Sequence, residues 1–277
     1  MKIYESILAD VEGFNVTQAF PNNEIRFLNP FILLHHGKNT HPGGQEQKQL
    51  GVPPHPHRGF VPVTIVLKGA IHHRDSLGNS SVIHEGGVQW TESASGLLHS
   101  ERPSKEIAEN GGELEIIQLW VNLPSEHKMG TPAYYAWEKS EIPEIVKEDA
   151  KVKIISGQFE DIKGVANSKY YIDLLLVELN GKSTLNLNNE LDSYLYIIEG
   201  NLNLNNEIVN EKHLVVLGNI DQVQIESENC KFLVMSGKDN GEFVAAAGPF
   251  VMNTVGDTKR AFIDYSQGKF GTLIEEF

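Results

Sequence analysis

His55-Pro56-His57-Arg58-Gly59-Phe60-Val61-Pro62-Val63-Thr64-Ile65-Val66-Leu67-Lys68-Gly69 is the stretch from which the fold is read. Its second half, 63–67, is dense in β-branched residues and runs into a glycine, the pattern of a strand ending in a turn. Working outward, the same pattern returns at 114–123, 171–179, 194–198 and 214–217. Short strands broken by Gly, Asn and Pro predict an all-β protein, a sandwich or a barrel. Helical periodicity is scarce. The one helix expected is short and C-terminal, over 257–267, with Asp257 as its cap and its end before Gly268.

The chain also repeats itself. Leu67-Lys68-Gly69 returns as Ile198-Glu199-Gly200, 131 positions on, and Ile83-His84-Glu85-Gly86 answers Val209-Asn210-Glu211-Lys212 at an offset of 126. Two related β-domains fit a chain of 277 residues. The Pro- and charge-rich stretch 138–152 then divides residues 1–140 from residues 141–277.

The chemistry lies in the first half. His55 and His57 stand two apart, and on an extended strand such side chains leave from one face. Leu98-His99-Ser100-Glu101 sets a histidine and a carboxylate at the same spacing. Alone, either spacing is ordinary surface or core text. Together, on two strands facing each other inside a barrel, they would aim three imidazoles and one carboxylate at one point. Imidazole nitrogen and carboxylate oxygen suit iron, manganese, nickel, copper or zinc. The second half has a single histidine, His213, and no such set.

Bulk composition narrows the function classes. The net charge is −14, with 11 Lys and Arg against 15 Asp and Glu in residues 1–140 and 12 against 22 in residues 141–277. An acidic surface repels phosphate backbones, so direct nucleic-acid binding is not expected. Cys230 is the only cysteine, which excludes an intrachain disulfide and a thiolate metal cluster. The start, MKIYESILADVEGF, carries acidic residues where a signal peptide needs an apolar run, and no window has membrane-spanning length. A cytoplasmic protein with no membrane association is the expectation.

HPHRGFVPVTIVLKG, HRDSLGN, GLLHSERP and IQLWVNLP, closing with GPFVMNT before the expected helix, together resemble the pirin family of bicupins. The resemblance runs from about residue 20 to the end and is densest over 54–124. It implies two tandem cupin domains, each a jelly-roll β-barrel: an N-terminal metal-binding cupin (1–140) and a metal-free C-terminal cupin (141–277). By motif position the family's three His and one Glu fall on His55, His57, His99 and Glu101. Iron is the first metal implied, with Mn, Ni, Cu, Zn or Co as the others such a set accepts. The activity implied is the opening of flavonols such as quercetin with dioxygen, with Glu101 also taking the proton of the flavonol 3-hydroxyl. The rival reading from the same family is an iron-binding, redox-sensing regulator that binds transcription factors or metabolic enzymes without turnover. Related proteins suggest a monomer. The chain departs from the family at Val61, where an acidic residue is usual, and around Asn29 and His35-His36-Gly37, which lack the usual Asp residues.

The other histidines carry weaker expectations. His35, His36 and His41 read as solvated loop residues, His73 as a second-sphere or turn residue, and His84 and His127 as unassigned. Arg58, beside a ligand but on the opposite strand face, reads as a structural ion-pair partner. Trp90 reads as core.

Overall fold

In a computed structural model, residues 1–11 and 14–277 are described; residues 12 and 13, within the acidic N-terminal stretch, lie outside the described residues. Strands dominate, joined by two α-helices and two short 3-10 turns among the described residues. Each strand expected from the sequence is present: Phe60–Lys68, Gly112–Asn122, Ile172–Asn186, Asp192–Glu199 and His213–Gly218 match the five segments read above, two of which overrun their strand by one residue.

One compact unit comprises Ala9–Val16, Phe31–Lys139 and Asn240–Phe277; the other comprises Met1–Leu8, Thr17–Pro30 and Ser140–Asp239. Lys139–Ser140 is one of several points at which the chain passes from one to the other, so these compact units are not continuous stretches of chain. Strand pairing is the reason. Lys2–Glu5 adds an edge strand to His213–Gly218, and Phe250 bridges to Arg58 on the far side of the chain.

In the first unit a four-stranded sheet runs in the order Val52–His57, Leu97–Pro103, Ala70–Asp75, Ser80–His84. A larger sheet contains Ala133–Trp137, Val88–Glu92, Phe60–Lys68, Gly112–Asn122 and Phe31–His41 in that order. Val52–His57 is an edge strand, which is why it accommodates Pro53, Pro54 and Pro56: a ring without an N–H is tolerated where no neighbour needs the donor. Phe60–Lys68 is buried over its first seven residues, which are apolar except for Thr64.

The second unit is built on a nine-stranded sheet whose main path includes His213–Gly218, Asp192–Glu199, Gln222–Gly237, Ile172–Asn186 and Ala150–Ser156. Its interior is apolar, with Leu175, Val177, Leu195, Ile197, Val215, Phe232 and Val234 in one cluster. His213 is half-buried, its Nδ1 3.0 Å from the Glu211 carbonyl.

The internal repeat is visible in backbone geometry. Gly69 and Gly200 both sit in left-handed turns, φ +78° and +77°. A Cβ on Gly69 would collide with the Glu113 carbonyl and one on Gly200 with the Asn229 carbonyl. Gly86 and Lys212, the ends of the second repeated motif, also have positive φ, 83° and 60°. The C-terminal helix spans Val255–Ser266, and its cap is Thr254, not Asp257. Thr254 Oγ1 accepts from Asp257 N at 3.1 Å and donates to Asp257 Oδ2 at 2.6 Å, so Asp257 serves the cap from within the first turn.

Candidate metal centre

The two ligand-bearing strands lie side by side. In the antiparallel pairing of Leu97–Pro103 with Val52–His57, His99 is opposite His55 and Leu97 opposite His57. The register then shifts, so that Glu101 is opposite Val52. Pro53 and Pro54 stand in that irregular stretch, where neither can donate to the ladder.

His55, His57 and His99 present one nitrogen each, all within 4.8 Å of one another. His55 Nδ1 faces the Pro53 carbonyl at 2.8 Å and His57 Nδ1 the Pro249 carbonyl at 3.4 Å. A carbonyl only accepts, so both Nδ1 atoms are the protonated ones and both Nε2 atoms carry lone pairs. Those two lone pairs face each other at 3.1 Å. Two acceptors that close repel unless a cation stands between them. Donors about 2.1 Å from one centre and at right angles to each other lie about 3.0 Å apart, which is this spacing. His99 is fully buried, and neither ring nitrogen has a hydrogen-bond partner. Burial holds both His57 and His99 well below the usual imidazole range, the neutral form that binds metals. The residues present therefore fit a divalent transition ion.

Glu101 shares a strand face with His99 but is not in the gathered group. Its Oε1 accepts from Thr64 Oγ1 at 2.9 Å and from Gln89 Nε2, and its Oε2 from Gln118 Nε2 at 2.7 Å. Three neutral donors thus hold the carboxylate about two strand residues along from His99. It is 4% exposed, and among the described residues it forms no ion pair with Lys or Arg. The sequence spacing anticipates the three imidazoles meeting; it does not anticipate this amide and hydroxyl cradle. The available signal is a lone Thr or Gln inside otherwise apolar strands, as in Val63-Thr64-Ile65 and Ile117-Gln118-Leu119.

His73 is buried beside the group, its ring centroid 5.4 Å from that of His99. It pairs with Asp75 at 3.2 Å and stacks on Tyr134 at 4.0 Å. Asp75 in turn accepts from the backbone N–H of Leu77 and of Asn79, so His73 is tied through Asp75 to the turn that follows its strand. Trp120 packs against His57 at 5.3 Å, and Trp90 is core, 2% exposed. Arg58 pairs with Asp264 at 2.9 Å, as its strand face implied.

His35, His36 and His41 are not loop residues: they lie on strand Phe31–His41. The apolar run ends at Leu34, and the polar residues that follow read as a loop when Gly37, Pro42, Gly43 and Gly44 are weighed alone; pairing with Gly112–Asn122 overrides them. His36 is buried against Glu115 at 2.9 Å, and that contact pulls the Glu115 carboxyl down to about 2. His35, Gly37, Asn39 and His41 alternate onto a cavity that Glu101 and Gln118 also line. Val16, Val52, Ile71, Leu114 and Ile116 supply apolar wall.

Among known proteins, the pirin family matches residues 13–121, and the pirin C-terminal cupin domain matches residues 171–271. Human pirin is 33% identical over 270 residues, 94% of this chain and 89% of that protein. Pirin-1 of Arabidopsis thaliana is 32% identical over 281 residues, 98% and 93% of the two chains. A crystal structure of quercetin 2,3-dioxygenase from Acinetobacter baumannii superposes with a TM-score of 0.92 at 34% identity, covering 99% of this chain and 98% of that one. Two cupin domains, a histidine cluster in the first of them and full-length likeness to these relatives lead to one assignment: the chain belongs to the pirin family of bicupins.

Proposed function

We propose that the protein is a metal-dependent dioxygenase that opens flavonols such as quercetin with dioxygen. A single divalent transition metal, iron first among the candidates, would be held by His55, His57 and His99, with Glu101 completing the set from the same strand face. The observation that carries the reading is the pair of imidazole lone pairs facing each other 3.1 Å apart beside an unpartnered, buried His99. A buried carboxylate with only neutral partners adds to it, since a cation nearby offsets the cost of burying its charge. The family likeness to a protein named quercetin 2,3-dioxygenase supplies the substrate class.

A metal in this position supplies Lewis acidity and a template for two reactants. The chain does the rest. Val16, Val52, Ile71, Leu114 and Ile116 pack against flat aromatic rings and exclude water. Asn39 and the neutral imidazoles of His35 and His41 line the same space as hydrogen-bonding partners for phenolic hydroxyls. Glu101 takes the proton of the 3-hydroxyl at a carboxylate oxygen, and Gln118 and Gln89 keep that carboxylate aimed at the cavity it lines.

Oxygen uptake and loss of flavonol absorbance test the proposal, using protein loaded in parallel with iron, manganese, nickel, copper, zinc or cobalt. Turnover by the wild type, with a loss of at least about 100-fold in His57→Ala, is expected. Equal inactivity of both proteins with every metal sinks the dioxygenase reading.

A further inference from the structure

On each proposed ligand segment an arginine immediately follows a ligand: Arg58 follows His57 at the end of its strand, and Arg102 follows Glu101 within its own. Alternation turns both away from the metal side, yet they are buried, 4% and 5% exposed. Both are gripped by residues 264–277. Arg58 donates to Asp264 Oδ2 at 2.9 Å and lies 4.6 Å over the ring of Phe270. Arg102 meets Glu275 with two parallel bonds, Nε to Oε1 at 3.0 Å and Nη2 to Oε2 at 2.8 Å. Its remaining nitrogen donates to the carbonyls of Lys48 and Leu50 at 2.9 and 2.7 Å, just before strand Val52–His57.

The grip extends to neighbouring strands. Arg74 donates to the Glu276 carbonyl at 2.7 Å and lies 4.8 Å over Phe277. Ser76 donates to the Phe270 carbonyl at 2.7 Å and accepts from Leu98 N, one residue before His99. Upstream of this arm, the Pro249 carbonyl holds the His57 ring, and Val251 N donates to the Arg58 carbonyl at 3.0 Å.

We propose that residues 264–277 act as a brace that sets the separation of the two ligand strands, with Arg58 and Arg102 as positioning residues and Asp264 and Glu275 as their anchors. The inference rests on the metal reading above. A bidentate guanidinium–carboxylate pair fixes distance and plane together, which a single point charge does not. Losing an anchor leaves a buried guanidinium without its counter-charge, one residue from His57 or from Glu101, and the strand shifts to hydrate it. Imidazoles that must meet one ion feel such a shift directly.

The test uses Co²⁺, whose absorption bands report ligand geometry, with affinity measured by competition against a chelator. Full-length Glu275→Gln, Asp264→Asn and the double variant are compared with wild type, alongside deletion of residues 272–277. Glu275→Asp serves as the conservative rescue. Expected are a roughly 10-fold weaker affinity for each single variant, more in the double, shifted Co²⁺ bands at temperatures where the apo proteins are fully folded, and partial recovery in Glu275→Asp. A brace with a purely structural role lowers the apo unfolding midpoint and leaves affinity and bands at wild-type values; that result overturns the inference. Should the deletion not fold, the isosteric Glu275→Gln still decides. If wild type itself binds no Co²⁺, nor any other metal tried, the metal reading fails first and the brace falls with it.

Discussion

Lys128 illustrates how single buried groups hold the metal-bearing unit in shape. It is 1% exposed, and its ammonium reaches the carbonyls of Gly59 and Val251 at 2.6 and 2.8 Å and Asn122 Oδ1 at 2.5 Å. Burial pulls the ammonium down to about 7, while three acceptors match the three protons of the charged form and so oppose the loss of one. Gly59 lies two residues beyond His57, and Val251 two beyond Pro249, so one amine ties together the segments that flank the His57 ring. Lys128→Met keeps the volume and strands three acceptors. It should lower stability by about 3 kcal/mol, read as a shifted urea midpoint; a shift within error would refute this account of the site. Nothing in the local sequence, Ser125-Glu126-His127-Lys128, marks this lysine as buried, because its partners come from distant parts of the chain.

Elements are punctuated where the repeat said they would be. Gly69 and Gly200 close equivalent strands, and at each the space for a side chain is already filled by a neighbouring strand's carbonyl. Gly78 has a similar positive φ, +91°, but nothing within 4 Å of a Cβ. Alanine at Gly78 therefore carries only the backbone penalty, about 1 kcal/mol, whereas Gly69→Ala and Gly200→Ala carry that penalty and a collision as well. Thermal unfolding of the three variants should rank Gly78→Ala as the mildest by a clear margin; equal losses at all three would discount the steric half of the argument. The strands themselves were legible from β-branched runs, since those residues suit a pleated, half-buried surface. Strand Phe31–His41 was not. Its glycine and paired histidines read as loop, and only pairing with Gly112–Asn122 gives its polar residues a face to line.

For the whole molecule the informative variable is pH. Burial lowers His35 to about 4, and burial with the nearby Arg74 charge lowers His72 to about 4; His57 and His99 are displaced in the same direction. Unfolded histidine titrates near 6.5. Above that value both states are neutral and the stability is fully present. As pH falls from 6.5 toward 4, the unfolded chain takes up protons that the folded chain refuses, so the contribution of His35 and His72 is lost across that window, and His57 and His99 add loss of the same sign. The thermal midpoint of the apo protein should drop by several degrees between pH 7 and pH 5. A flat profile over that range would mean these imidazoles are not buried as described. All four belong to the unit that carries the histidine cluster, so its unfolding should lead the transition in acid.

The sequence by itself determined the class of fold, the glycine turns of the repeat and the three imidazoles that meet, because alternation along a strand is a local property that spacing records. It also put Glu101 and His99 on one face. Which neighbours hold Glu101, where the arginines beside the ligands find their counter-charges, and how each compact unit gathers separate segments of the chain were decided only in three dimensions. Those features depend on contacts between residues far apart in sequence, such as Arg102 with Glu275, and burial turns such contacts from incidental into necessary.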